Sequence, residues 1–142
     1  MSPKKEDLIE KVNHWVELAE EDLRVAKYSL TMSSNVPYRI IAFHAQQCAE
    51  KYIKALLVLN NLDFPYTHDL EKLLGIAPKQ LNLLPRLAIA GELTDYAVSK
   101  RYPDYYQKLS KEEAIRAIEI SETVKEYISN IFLNSGYNFV EN

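Results

Sequence analysis

Four polar residues recur at helical spacing in residues 43–57 (FHAQQCAEKYIKALL), inside a longer apolar helical pattern. They are His44, Gln47, Lys51 and Lys54. Successive residues of an α-helix lie about 100° apart around its axis, so these side chains are predicted to occupy about 80° of one flank. The amines supply positive charge, while the imidazole and the amide supply directional hydrogen bonds. The pattern predicts an anion-binding flank beside an apolar face, but it is also typical of a solvated face on which Glu50 pairs with Lys54.

A second candidate group, THDL (residues 67–70), stands where a helix is predicted to begin. Thr67 or His68 can end the preceding loop, and Asp69 is favourably placed near the positive end of the helix dipole. A helix N-terminus can also receive an anion. His68 therefore has two alternative roles, in the helix start or in the anion site.

A third group surrounds Pro103 in RYPDYY (residues 101–106), where Arg101, Tyr102 and Asp104 lie close together. One interpretation is aromatic packing at the end of a bundle or in a dimer interface, where tyrosine is enriched. The alternative is stacking on a base, worth about 1–3 kcal/mol, with the arginine on a phosphate. The predicted nucleotide-binding set is His44, Gln47, Lys51, Lys54, His68, Arg101, Tyr102 and Asp104.

Other kinds of site chemistry are not predicted. The three histidines, His14, His44 and His68, lack the spacing of metal ligands, and the single cysteine, Cys48, falls on an apolar helical face. Three glycines are too few for a phosphate-cradling loop, and no serine or cysteine nucleophile has an identifiable base. We therefore predict no metal, no cofactor and no catalytic residue.

Composition limits the class of protein. The chain has 142 residues, 47% of them apolar, and a net charge of −3, which argues against broad, non-specific binding of nucleic acid. The lone cysteine cannot form an internal disulfide. No apolar run approaches the about 18 residues of a membrane span, and the N-terminus lacks a signal-peptide core. We predict a cytoplasmic protein with no membrane association.

Apolar periodicity predicts helices over residues 3–31, 38–60, 68–74 and 81–99, with Pro85 and Gly91 weakening the last of these. A final helix is predicted to open at Ser110, which forms a capping box with Glu113. Strand patterns are absent from the sequence. The expected fold is an all-α bundle comprising one domain over residues 1–142, of which 136–142 form a C-terminal tail.

Three segments together, FHAQQCAEKYIKALL, THDL and RYPDYY, in this order and at this separation, resemble the HEPN domain family. The resemblance is to its small stand-alone prokaryotic members and covers roughly residues 8–131. It implies an up-and-down helical bundle of four or five helices that is commonly a homodimer. It also implies nucleotide or RNA chemistry, either as a metal-independent endoribonuclease or as a non-catalytic partner of a minimal nucleotidyltransferase.

The ribonuclease members of this family carry an Arg-x4-6-His motif near the start of a late helix. The late arginine here is Arg101, and no histidine follows it at that spacing. Arg39 and His44 satisfy the spacing, but in helix two, where their side chains are predicted to point about 140° apart. The sequence therefore favours a protein that has lost the ribonuclease motif.

The leading hypothesis is a non-catalytic HEPN protein that binds a nucleotide or nucleotidyl substrate. It would be a homodimer and would act with a separately encoded nucleotidyltransferase in a toxin–antitoxin-like module. One alternative is an endoribonuclease toxin that binds RNA and uses His44 and Arg101, for which a histidine base would contribute about 10²–10⁴-fold in rate. The other is a pure protein-interaction module, in which the polar flank is an assembly surface.

Overall fold

Three long helices dominate the computed structural model, which describes residues 4–98 and 108–139. They are α1 (Lys5–Ser29), α2 (Tyr38–Leu59) and α6 (Lys111–Asn134). Between α2 and α6 lie the short helices α3 (Leu70–Ile76), α4 (Leu83–Arg86) and α5 (Thr94–Val98), with 3₁₀ turns at Lys79–Leu81 and Ala88–Leu93. The described residues contain six α-helices and no strand, so the predicted all-α fold is confirmed.

Helix α2 lies at the centre of the bundle, between α1 and α6. Thirteen of its 22 residues are buried, which explains why apolar residues cover most of its circumference. Helix α1 faces it with residues spaced three and four apart, namely Val12, Val16, Ala19, Leu23 and Ala26. Helix α6 contributes Ala114, Ala117, Ile118, Ser121, Val124 and Ile128. The core therefore consists of one apolar stripe from α1 and one from α6, each packed against the central helix α2.

Side-chain contacts give the directions of the long helices. On α1 and α2, Asp22 lies beside His44, whereas the earlier Trp15 lies beside the later Lys54, so the two helices are antiparallel. Helix α6 is also antiparallel to α1, because the end of α1 contacts Glu122 while Lys5 contacts Tyr137, beyond the end of α6. The chain therefore goes up and down through α1 and α2, and the segment containing α3–α5 carries it back before α6.

Helix ends agree with the sequence where the local signal is strong. The capping box at Ser110 is present, with both reciprocal hydrogen bonds at 3.1 Å. Helix α2 has no side-chain cap, and Pro37 occupies its N-cap position. Helix α3 begins at Leu70 rather than at residue 68, with Asp69 as its cap.

The predicted helix over residues 81–99 is divided in the structure. Its described part forms α4, a 3₁₀ turn and α5, and residues 99–107 lie outside the described residues. Pro85 is tolerated because it lies in the first turn of α4, where a missing backbone N–H costs no helical hydrogen bond. Within the described ranges, no helix has the length and apolar character needed to cross a membrane.

Candidate functional site

Asp22, on α1, joins two of the predicted site residues of α2. Its Oδ1 lies 2.8 Å from Nδ1 of His44, and its Oδ2 accepts a hydrogen bond of 2.5 Å from Nζ of Lys51. The Asp22 side chain is 11% exposed, against 26% for His44 and 20% for Lys51. The carboxylate is thus largely enclosed, while the two basic side chains reach the surface. We call these three residues the Asp22 cluster.

A second buried carboxylate, Glu50, gathers residues from α2 and from the start of α3. Its Oε1 accepts from Nε2 of Gln46 at 2.9 Å and lies 2.8 Å from Nδ1 of His68. Its Oε2 accepts from Nζ of Lys54 at 2.9 Å, which is the i,i+4 pair that the sequence offers as an alternative. We call these four residues the Glu50 cluster.

Gln47 connects the exposed flank to this second cluster. Its Nε2 donates to Oε1 of Gln46 at 2.6 Å, and Gln46 in turn donates to Glu50. Gln47 is half-buried, whereas Gln46 is fully buried. The amide of Gln47 is therefore held by the Glu50 cluster through Gln46.

Lys54 lies deeper than the sequence predicts. It is only 6% exposed, and its ammonium group lies 5.6 Å from the ring centres of both Trp15 and Phe64. Contacts of a cation with aromatic faces add electrostatic attraction to the ion pair with Glu50. Lys54 is thus enclosed within the structure and does not lie on an open flank beside the core.

Hydrogen bonds lower the pKa of Glu50 despite its burial. Burial alone raises the pKa of a carboxyl group, because it penalises the charged form. The donors Gln46, His68 and Lys54 outweigh that penalty, so the pKa of Glu50 falls below its ordinary value. The carboxylate is accordingly ionised at neutral pH and holds the three donors together.

A third polar contact ties the three long helices to one another. Glu20 of α1 accepts from the hydroxyl of Tyr52 on α2 at 2.5 Å and from Nζ of Lys125 on α6 at 2.9 Å. Burial and the neighbouring Glu20 raise the pKa of Tyr52 above its ordinary value, so its hydroxyl stays protonated. This contact is structural, because the tyrosine is inaccessible to solvent.

The site residues divide into groups according to their position. His44 and Lys51 meet at Asp22, Lys54 and His68 meet at Glu50, and Gln47 contacts the Glu50 cluster through Gln46. Arg101, Tyr102 and Asp104 lie outside the described residues. Burial raises the pKa of the Cys48 thiol to about 12, so it is not an available nucleophile. In the described part of the chain, no three His, Cys, Asp or Glu residues are arranged to hold a metal ion.

Sequence reasoning missed Asp22, although the sequence contains a signal for it. Asp22 follows Ala19 by three residues on the apolar face of α1, and a charged residue on such a face needs a partner. Its partners lie 22 and 29 residues further along the chain, so their identity depends on how the helices pack.

The chain matches the HEPN domain over residues 12–131. It belongs to the HEPN family. The resemblance predicted from the three sequence segments is therefore confirmed, and it covers nearly the same residues. The match spans α2 and both polar clusters.

Similar proteins agree with this assignment. This HEPN protein is 32% identical over 143 residues to "Putative toxin MJ1304" of Methanocaldococcus jannaschii, covering 87% of this chain and 88% of that protein. The crystal structure of TT1696 from Thermus thermophilus has a TM-score of 0.74 at 25% identity, covering 84% of this chain and 97% of that one. The crystal structure of ST0689, an archaeal HEPN homologue, has a TM-score of 0.65 at 26% identity, covering 84% and 96%.

Proposed function

We propose that this HEPN protein binds a nucleotide, or the nucleotidyl group of a larger substrate, on the flank formed by His44, Gln47 and Lys51. It does so without catalysis, as the partner of a separately encoded nucleotidyltransferase in a toxin–antitoxin-like module. His68 borders the site, and Arg101, Tyr102 and Asp104 complete it by contacting phosphate and base. Lys54 supports the site from inside through Glu50.

The observation that carries the proposal is the set of unused donors on this flank. Among the described residues, Lys51 gives one of its three N–H donors, to Asp22, which leaves two for a phosphate. His44 contacts Asp22 through Nδ1, which leaves Nε2 for a ligand. When the imidazole is protonated, two positive charges face one carboxylate, and the Asp22 cluster carries a net positive charge.

The name of the Methanocaldococcus jannaschii relative supports the wider context of the proposal. That protein is called a toxin, and this chain covers most of its length. We propose the same context here, with a cytoplasmic homodimer built from one HEPN-like domain per chain. Light scattering of the pure protein measures its mass, and a monomer would contradict the dimer.

Calorimetric titration with ATP, GTP and AMP tests nucleotide binding, preceded by absorbance at 260 nm of the supernatant after denaturation. Lys51→Met should weaken binding about tenfold or more, because a hydrogen bond to a charged group contributes about 1.5–3 kcal/mol. Lys79→Met removes the same charge from the exposed 3₁₀ turn and should leave the affinity unchanged. Flat traces for all three nucleotides with folded wild-type protein would overturn the proposal.

One observation favours a second function, the endoribonuclease toxin. A carboxylate bound to Nδ1 of a histidine orients the ring and leaves Nε2 as a base, and Asp22 and His44 have this arrangement. His44 would take the proton of a ribose 2′-hydroxyl, and Arg101 would stabilise the phosphate. Total RNA incubated with EDTA and the protein tests this activity. Cleavage should disappear in both His44→Ala and Arg101→Ala, and cleavage that persists in both would exclude this site.

The remaining hypothesis, a pure protein-interaction module, predicts a different effect of changing Lys51. Lys51→Glu would then alter the mass measured by light scattering, while no nucleotide would bind to the wild-type protein. Nucleotide binding that is lost in Lys51→Glu, with the mass unchanged, supports the binding site instead.

A further inference from the structure

Asp22 uses both of its oxygens on residues of the proposed site. One oxygen contacts Nδ1 of His44 and the other accepts from Lys51, while the residue itself is 9% exposed. An ionised carboxylate can only accept hydrogen bonds, so the proton of neutral His44 must be on Nδ1. Nε2 is then an unprotonated acceptor on the imidazole, whose side chain is 26% exposed.

We propose that Asp22 is the positioning residue of this nucleotide site, fixing the tautomer and orientation of His44 and the direction of Lys51. The inference rests on the proposed function, which assigns the ligand to His44 and Lys51. Asp22 itself does not touch the ligand, because it lies behind the two basic side chains in the contact between α1 and α2.

A carboxylate between two cations could instead compete with the phosphate of the ligand. The geometry points away from competition. Asp22 occupies Nδ1 of His44 and one of the three Lys51 donors, so a phosphate can reach the remaining Lys51 donors, and a ligand hydroxyl can donate to Nε2, without displacing Asp22. The two roles also predict opposite effects of removing Asp22, because a competitor's loss would strengthen phosphate binding.

The Glu50 cluster has the same arrangement of a carboxylate, a histidine and a lysine as the Asp22 cluster. There too, one carboxylate oxygen contacts Nδ1 of a histidine, at 2.8 Å, and the other accepts from a lysine. That lysine lies beside two aromatic rings and its side chain is 8% exposed, whereas the Lys51 side chain is 20% exposed. The same arrangement therefore holds a structural lysine at Glu50 and a surface lysine at Asp22.

Nitrogen NMR of the imidazole rings tests the positioning role without any ligand. In ¹⁵N-labelled protein at a pH where His44 is neutral, its ring should show the tautomer protonated on Nδ1. His44→Gln assigns its signals among the three histidines. In Asp22→Ala this preference should be lost, whereas Glu122→Ala, at an exposed ion pair, should retain it. A wild-type ring protonated on Nε2, or an unchanged tautomer in Asp22→Ala, would overturn the proposal.

Titration with AMP tests the consequence for binding. Asp22→Ala should bind AMP about tenfold more weakly. Without Asp22, Lys51 is no longer directed, so one well-oriented charged hydrogen bond from Lys51 to the phosphate is lost. Equal binding by this variant would overturn the positioning role, and tighter binding would overturn it and indicate a competing carboxylate. If wild-type protein binds no nucleotide, the proposed function fails, and the tautomer measurement still decides the role of Asp22.

Discussion

At the scale of single residues, the two carboxylates differ in how far the sequence reveals them. Glu50 and Lys54 are four residues apart on one helix, so their ion pair can be predicted from spacing alone. Asp22 and Lys51 are 29 residues apart and meet only because α1 and α2 are antiparallel in this register. The sequence therefore predicts the carboxylate that faces Lys54, but not the one that faces Lys51.

Glu50 should make the stability of the protein depend on pH in the acidic range. Its pKa in the folded protein lies below the ordinary value of 4.5, so its contribution is complete above that pH and is lost as pH falls through the lower folded value. Glu50→Gln should reduce the free energy of unfolding at pH 7 by about 3–5 kcal/mol, because it leaves Lys54 buried without a counter-charge. Urea unfolding followed by helical circular dichroism at pH 7 and pH 3.5 (about one unit below the ordinary value) measures both effects.

Glu92 provides the matched control for this prediction. It pairs with Arg116 in an exposed bidentate contact, at 2.8 and 2.9 Å. Water screens exposed ion pairs, so Glu92→Gln should change stability little at either pH. If Glu50→Gln unfolds at the same urea concentration as wild type at pH 7, the Glu50 cluster does not stabilise the fold.

At the scale of helices, a helix end can be predicted from the sequence when residues close together in the chain cap it. The capping box of α6 involves only Ser110 and Glu113, so the sequence alone defines it. Helix α2 begins after Pro37 without any side-chain cap, and its start depends instead on packing in the core. The segment from residue 81 to 98 breaks into short helices because it has a proline and a glycine and packs against α2, α3 and α6.

Two glycines should respond to alanine in opposite directions. Gly136, just after α6, has a φ of 91°, where an L-residue is strained, so Gly136→Ala should destabilise by about 1–2 kcal/mol. Gly75 lies within α3 with open space around its Cα, so Gly75→Ala should stabilise by about 0.5–1 kcal/mol. Thermal unfolding of both variants beside wild type measures the difference. A Gly136→Ala variant as stable as wild type would mean that the left-handed turn is not required.

At the scale of the whole molecule, the sequence predicts three long helices but not their arrangement. The amphipathic pattern gives each helix a buried face without saying which neighbour covers it. In the structure, α6 packs against both α1 and α2. Glu20 of α1 contacts both of the other long helices, because its carboxylate accepts from Tyr52 of α2 and from Lys125 of α6.

This shared carboxylate should couple the long helices energetically. Tyr52→Phe in wild type should cost about 1.5–3 kcal/mol, because the lost hydrogen bond is to a charged group. In a Glu20→Ala background the same change should cost at least about 0.5 kcal/mol less, since that acceptor is already gone. Urea unfolding of the four proteins gives the coupling energy. The exposed Lys27–Glu122 pair also joins α1 and α6, and its cycle should give less than about 1 kcal/mol. An equal cost of Tyr52→Phe in both backgrounds would show that the contact between Tyr52 and Glu20 does not couple α1 and α2.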